Sequence, residues 1–200
     1  ESTVGRAKAD VLKGDITDTQ TIEAGIEHKF SAGWRASIGA RRDNRGALIA
    51  SNSPILNQTG TRTDAILTIG YRPADKVGGV VPKRDWDVYG FVQGTLDNSG
   101  TRPDNDRYGL GGSVQISPRT RASLEVSDGD LDLGAKVGLD FNANERTSLS
   151  LAYTLAAENP DAFNTGRMGQ LSTGAKVRFN DHIGVFGEGR YLHGTGPTGL

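Results

Sequence analysis

Apolar and polar residues alternate one by one along residues 130–155, where the pattern is clearest. The odd positions from 131 to 141 are all apolar, and the even positions are charged or glycine. Side chains of an extended strand point alternately to opposite faces, so this run has one apolar face. The alternation resumes after residues 142–145, with Leu149, Leu151, Tyr153 and Leu155 on one face. Two such runs around a short polar segment predict a β-hairpin.

The same period-2 pattern recurs along most of the chain and predicts about eleven strands. Helical periodicity is poor, and 28 of the 200 residues are Gly, which destabilises helices. Besides the two strands of the hairpin, the predicted strands are Thr3–Lys13, Thr19–Phe30, Trp34–Arg42, Arg62–Arg72, Trp86–Leu96, Arg107–Ile116, Arg121–Ser127, Gly169–Phe179 and Ile183–His193.

The connections between these strands alternate between two kinds. One set is residues 31–33, 73–85, 117–120, 142–145 and 180–182, and four of these five are tight. The other set is residues 14–18, 43–61, 97–106, 127–129 and 158–168, and three of these are long and polar. Bacterial outer-membrane barrels have short turns on the periplasmic side and longer loops outside. The long 73–85 connection and the short one at 127–129 depart from that rule.

Aromatic residues lie near the ends of the tight turns. Such a placement is typical of the aromatic girdle at one membrane interface of a barrel. The predicted girdle residues are Phe30, Trp34, Tyr71, Trp86, Phe141 and Phe179.

The faces opposite the apolar ones carry charges of both signs, which suits a water-filled lumen. The predicted lumen-lining residues are Glu23, Glu27, Lys29, Arg35, Arg41, Lys136, Asp140, Lys176, Arg178, Glu188 and Arg190. Basic residues opposite acidic ones can create a field that selects solutes, or they can form cross-strand ion pairs that brace the wall. Both roles remain open at this stage.

A soluble β-sandwich also has one apolar face per strand, so alternation alone does not exclude it. Predicted strands of about 9–12 residues match a tilted membrane span, whereas soluble strands average about 5–6. The apolar faces are rich in Ala and Gly, which would fill a sandwich core poorly. These features favour a membrane barrel.

The amino-acid composition argues against several kinds of binding site and structure. The net charge of −1 gives no reason to expect nucleic-acid binding. The chain contains no Cys, which excludes disulfides and thiolate metal sites. No apolar run is long enough for a transmembrane helix.

The segments QLSTGAKVRF–NDH–IGVFGEGRYL and LDLGAKVGLDF–NANE–RTSLSLAYTL resemble outer-membrane β-barrel proteins of Gram-negative bacteria, porin-like in the broad sense. The resemblance is architectural and covers about Thr19 to His193. It implies an all-β, antiparallel up-and-down transmembrane barrel in the bacterial outer membrane. It transfers no functional residue. Residues 1–200 are expected to form a single barrel domain or a segment of one. Bacterial single-chain barrels have even strand numbers, so about eleven strands predict part of a larger barrel.

Three motifs suggest other chemistry, and each has a simpler interpretation. Gly194–Gly199 matches the spacing of a dinucleotide loop, but Pro197 and the lack of a following helix indicate an ordinary loop. Asp128, Asp130 and Asp132 begin like a calcium loop, but position 12 is Leu139 and the motif fails. A loose cation site there stays open, and a solvated turn is the alternative.

The three His residues, His28, His182 and His193, form no recognisable catalytic constellation. The sequence therefore predicts no enzyme, no cofactor and no metal.

The sequence is compatible with three hypotheses for the function. The first is a water-filled pore in the outer membrane through which small polar solutes diffuse, with lipid and those solutes as partners. The second is a structural or adhesive barrel, or the barrel domain of a larger surface or secretion assembly, whose loops bind partners. The third is a soluble β-sandwich. A homo-oligomer is compatible with the first two.

Overall fold

The computed structural model describes residues 1–13, 17–30, 33–47, 59–73, 85–130, 132–156, 167–179 and 183–195. This part of the chain is almost entirely β-structure. No helix in these ranges is long and apolar enough to cross a membrane. The strands are β1 (Ser2–Lys13), β2 (Thr17–Lys29), β3 (Trp34–Ala47), β4 (Gly60–Tyr71), β5 (Trp86–Asn98), β6 (Arg107–Ser117), β7 (Thr120–Gly129), β8 (Gly134–Asn144), β9 (Thr147–Ala156), β10 (Arg167–Arg178) and β11 (Gly184–Thr195).

All eleven strands belong to one sheet, and each pairs antiparallel with the next in sequence. The predicted all-β, antiparallel, up-and-down architecture is confirmed. The strands form one sheet rather than two packed sheets. Within the described ranges β1 and β11 do not pair with each other, so the sheet is open.

Several strands extend beyond the alternating residues that predicted them. β3 continues to Ala47 and β4 begins at Gly60, so the predicted loop at 43–61 is shorter by several residues at its first end. Its central part, residues 48–58, lies outside the described residues, as do residues 158–166 of the predicted 158–168 loop. Residues 31–32, 74–84 and 180–182 of three predicted connections also lie outside them.

The connection between β7 and β8 differs from the prediction. The sequence placed a turn at 127–129, but β7 continues to Gly129 and β8 begins at Gly134. Asp132 has φ 71° and its backbone N–H donates to the Gly129 carbonyl at 2.9 Å, so the turn lies here. Asp tolerates this left-handed conformation better than most residues, which explains why the chain reverses at this point. Leu131 lies outside the described residues.

The strand register separates the residues into two faces. Trp34, Tyr71 and Val88 are consecutive cross-strand partners on one face, which we call the apolar face. Glu23, Arg41 and Asp64 are consecutive partners on the other, which we call the charged face. The register therefore places the predicted apolar faces of neighbouring strands on the same side of the sheet, and the predicted polar faces on the other.

The sheet has no conventional hydrophobic core. In the described part of the chain no large apolar side chain is fully buried, and large apolar side chains are exposed on nearly every strand. Exposed apolar patches of more than a few hundred Å² are rare on soluble monomers. The apolar face therefore needs a cover of lipid or protein.

Candidate functional site

The charged face contains every residue that the sequence predicted to line a lumen. Cross-strand register places Glu23 beside Arg41, Lys29 beside Arg35, and Lys136 beside Glu125. The remaining predicted residues have register positions on the same face: Glu27, Asp140, Lys176, Arg178, Glu188 and Arg190. Their common face is a structural fact, and their contact with a lumen remains a prediction.

Ion pairs connect many of these residues. Arg41 lies 3.5 Å from Glu23, and Lys136 lies 2.8 Å from Glu125. Arg190 lies 2.6 Å from Glu188 on the same strand. Exposed pairs of this kind contribute about 0–1 kcal/mol each, so their main effect is to hold the charges in place.

A denser cluster lies at the short-turn end of the charged face. Arg121 on β7 donates to Ser113 at 2.9 Å and to Asp85 at 2.8 Å. Asp87 lies 3.1 Å from Arg35 and 3.4 Å from Arg121, so it joins β3 to β7 across the sheet. Bonds to Arg121 and Arg72 lower the pKa of Asp85, which precedes β5, below its usual range. The cluster links β3, β5, β6 and β7, together with Arg72 just past the end of β4.

The segment between β5 and β6 folds back over the charged face. Its Arg102 side chain is only 1% exposed and forms an ion pair with Asp43 of β3. The Pro103 carbonyl accepts a hydrogen bond of 3.1 Å from Arg62, and the Asn105 N–H donates to the Thr95 hydroxyl at 2.8 Å. Residues 99–106 are therefore anchored against the wall rather than extended away from it.

A cavity of about 950 Å³ lies between this segment and strands β1–β6. Gly25 and Gly39 are cross-strand partners in its wall and leave room because they have no side chains. Its basic residues are Arg6, Lys8, Arg41, Arg45, Arg62, Arg102 and Arg107, and its acidic residues are Glu23, Asp43 and Asp64. The cavity is thus strongly basic although the chain as a whole is nearly neutral.

Two aromatic side chains of β5 also lie on the charged face. A Cβ atom added at Gly111 would lie 2.4 Å from Tyr89 Cζ, and one added at Gly109 would lie 2.5 Å from Phe91 Cε1. The rings of β5 therefore occupy the space above two glycines of β6. Tyr89 extends further and donates a hydrogen bond to Glu125 on β7.

The predicted girdle residues lie near the short-turn ends of the strands, and most are well exposed. Trp34 and Trp86 are 52% and 39% exposed, and Tyr71 lies between them with ring centroids 5.1 and 5.8 Å away. Phe30 stacks edge-on against His28 at 4.5 Å. Phe141 and Phe179 are 38% and 57% exposed. Their placement at a membrane interface remains a prediction.

On the described strands, the charged residues of the apolar face lie toward the end that carries the long loops. Arg42 pairs in register with Ile22 and Thr63, Asp97 with Thr63, and Asp128 with Tyr108. Between Arg42 and Trp34, the apolar-face residues of β3 are Ala36, Ile38 and Ala40. The apolar interval from residue 34 to 42 spans about 26 Å along the strand at ~3.3 Å per residue.

The other sequence motifs form no site in the described residues. Asp130 accepts a hydrogen bond from the Asp106 N–H at 3.1 Å, and no group of three potential metal ligands occurs in the ranges that the structure describes. His28 forms a hydrogen bond of 2.8 Å with Thr3. His182 and residues 196–199 of the glycine motif lie outside the described residues, as does the His193 side chain.

Sequence reasoning missed the residues that make the cavity basic. Of these basic residues, Arg45 and Arg102 fall in segments predicted to be polar loops, and Arg6 falls in the predicted strand Thr3–Lys13. The alternation of Arg41, Asp43 and Arg45 was a usable signal, since it continues the charged face of β3 past Arg42.

No protein-family model and no curated protein matches this sequence. Among solved structures, the chain is similar to one described as "KdgM porin", with 10% sequence identity and a TM-score of 0.46. The match covers 96% of this chain and 91% of that one.

Proposed function

We propose that this chain forms a wall of a bacterial outer-membrane β-barrel through which small polar solutes diffuse. The observation that carries the proposal is the division of one eleven-stranded sheet into a largely apolar face and a face that carries charges of both signs. Lipid covers the apolar face, and water fills the space in front of the charged face.

Lipid is a better cover for the apolar face than a second protein layer. Its apolar interval of about 26 Å along the strand, at ~3.3 Å per residue, corresponds to about 20 Å across the membrane at a strand tilt of ~40°, which is somewhat less than the ~25 Å apolar band of membrane barrels. Aromatic residues mark one end of that interval, and Arg42, Asp97 and Asp128 mark the other. A protein partner would not require charges and aromatics to segregate to opposite ends.

A hydrated lumen is supported by the charged face. Arg41, Lys136 and Arg190 are each more than a third exposed on that face although each is paired with a carboxylate. Partly exposed charges need water, and a lumen supplies it within the membrane. No cofactor is required for passive diffusion.

The test is single-channel conductance of the detergent-purified chain in planar bilayers, with osmotic swelling of liposomes in neutral sugars of increasing size. We expect conductance and a size cut-off. Membrane-inserted protein without conductance would instead support a structural or adhesive barrel, whose loops bind partners. Release from membranes by salt alone would contradict the membrane location itself.

A further inference from the structure

The cavity beneath residues 99–106 has a charge balance unlike the rest of the charged face. Seven of its residues are basic and three are acidic. Asp10 lies 2.5 Å from Lys8 and balances that one charge from outside the cavity. Glu125, a neighbour of Arg107, is already bonded to Lys136 and Tyr89. The cavity therefore retains a positive excess after its neighbours are counted.

The three carboxylates within the cavity already have partners. Asp64 lies 2.9 Å from Arg62, Asp43 is paired with Arg102, and Glu23 lies 3.5 Å from Arg41. Asp64 also accepts a hydrogen bond from Thr95 at 2.9 Å. Two buried acceptors of the cavity wall, Asp43 Oδ1 and Asn105 Oδ1, have no hydrogen-bond partner among the described residues, so neither is bonded to Arg41 or Arg107.

Two arginines carry the inference. Arg41 Nε and Arg107 Nε are both buried, and neither has a hydrogen-bond partner among the residues that the structure describes. Within the described ranges, the one other hydrogen bond of the Arg107 side chain runs from Nη2 to the Asp132 carbonyl, at 3.4 Å. A buried N–H donor without an acceptor is unfavourable, and an oxyanion is the acceptor that a guanidinium binds best.

The distance between these two arginines restricts the ligand. Arg41 lies on β3 and Arg107 at the start of β6, three strands away. Neighbouring strands are ~4.8 Å apart, so the two backbones are separated by about 14 Å along the sheet. Two Arg side chains that reach inward from those positions can hold opposite ends of one solute several bonds long. A volume of about 950 Å³ accommodates such a molecule.

We infer that this cavity binds a small organic solute with two oxyanion groups, one held by Arg41 and the other by Arg107. The inference rests on the proposed channel function, because it assigns a substrate class to that lumen. Carboxylate, phosphate and sulfate share the required chemistry, and the test distinguishes them.

The test is calorimetric titration of the detergent-purified full chain at low ionic strength. The ligands are dicarboxylates from malonate to suberate, together with acetate, inorganic phosphate and sulfate. We expect a longer dicarboxylate to bind at least about tenfold more tightly than acetate, as expected for a second charged hydrogen-bonding site. Equal binding of acetate and every dicarboxylate, or no binding of any of these anions, would overturn the inference. Tighter binding of phosphate or sulfate than of all dicarboxylates would overturn the two-ended site.

Substitutions of the two arginines test whether they form the binding site. Arg41→Gln and Arg107→Gln should each weaken dicarboxylate binding by about tenfold or more. Arg41→Lys and Arg107→Lys keep the charge but lose the planar fork, so binding should be intermediate. Arg190→Gln is the matched control, because Arg190 is paired with Glu188 on β11 outside the cavity. Circular dichroism confirms that each variant is folded. Wild-type affinity in both Gln variants would refute the assignment.

Conductance measured in chloride without these ligands separates the two proposals. A conducting protein that binds no dicarboxylate refutes only the site. A protein that binds dicarboxylate through Arg41 and Arg107 but never conducts supports the site and contradicts the channel.

Discussion

Tyr89 on β5 reaches over β6 to donate a hydrogen bond of 2.5 Å to Glu125 on β7. The ring can take this path because Gly111 lies beneath it. A single side chain thus spans three strands of the charged face. Its position depends on a residue that has no side chain.

Gly111→Ala should destabilise the protein by about 1–3 kcal/mol, the usual cost of inserting a methyl group where another side chain already packs. The added Cβ would lie 2.4 Å from Tyr89 Cζ, and the ring would have to leave Glu125. Urea unfolding followed by tryptophan fluorescence measures the change.

Two further variants check this explanation. Gly5→Ala is the control, since a Cβ there meets nothing within 4 Å. In Tyr89→Ala the ring is absent, so adding Gly111→Ala should have little further effect. A full additional loss in the double variant would refute the role of the ring.

Asp43→Asn should release residues 99–106 from the wall. Arg102 is 1% exposed and loses its charged partner, and removing one member of a buried ion pair costs about 3–5 kcal/mol. Limited proteolysis with an enzyme that cleaves before Asp, read by mass spectrometry, should show faster cutting at Asp104 and Asp106.

The matched control is Glu23→Gln, whose partner Arg41 does not belong to this segment. Adding Arg102→Gln to Asp43→Asn removes the unpaired charge and should recover part of the protection. Equal cleavage of wild type and Asp43→Asn would mean that the pair does not anchor the segment.

Asp85 should contribute stability that depends on pH. Its pKa is lowered by Arg121 and Arg72, so the carboxylate stabilises the fold above its unfolded pKa of about 3.9. This contribution is lost as the pH falls below that value toward the folded pKa. The difference in urea midpoint between wild type and Asp85→Asn should therefore shrink from pH 7 to pH 3.

The effect should stay below about 1 kcal/mol, because the pair is partly exposed to solvent. Asp104→Asn, which changes an acid near the opposite end of the sheet, controls for general charge effects. An undiminished difference at pH 3 would contradict the assignment.

Adjacent residues of β8 should report opposite environments. Val137 is 52% exposed on the apolar face, and Lys136 lies on the charged face beside Glu125. The chain has no native Cys, so single cysteines can carry spin labels without background. In liposomes, oxygen accessibility should be high at position 137 and low at 136, and a water-soluble relaxing agent should give the reverse.

The neighbouring pair Leu124 and Glu125 on β7 offers a repeat of the same contrast. Equal accessibility at both positions of each pair would contradict a lipid-facing side. High accessibility of Val137 to the water-soluble agent alone would do so as well.

Much of the fold could be predicted because the pleat assigns every second side chain to the same face. Glu23, Arg41 and Lys136 were placed on the charged face from alternation alone, and the register joins them to partners on neighbouring strands. The turn at Asp132 was predicted too early, because Asp128 and Gly129 are equally suitable turn residues.

The cavity could not be predicted in the same way. Alternation gives the face of a residue within a strand, but it does not say whether a loop folds inward. Arg102 lies far from Asp43 in sequence, and their pairing depends on the path of residues 99–106. The glycines of β6 likewise indicated poor helix propensity, whereas their role beneath Tyr89 and Phe91 depends on the neighbouring strand.

Those glycines also affect the bore of the proposed channel. An aromatic ring that stood upright on the wall would project well into the lumen and obstruct flow. Over Gly109 and Gly111 the rings of Phe91 and Tyr89 lie along the wall instead. A bulky side chain at either position would therefore narrow the bore, and it would do so without changing a single charge.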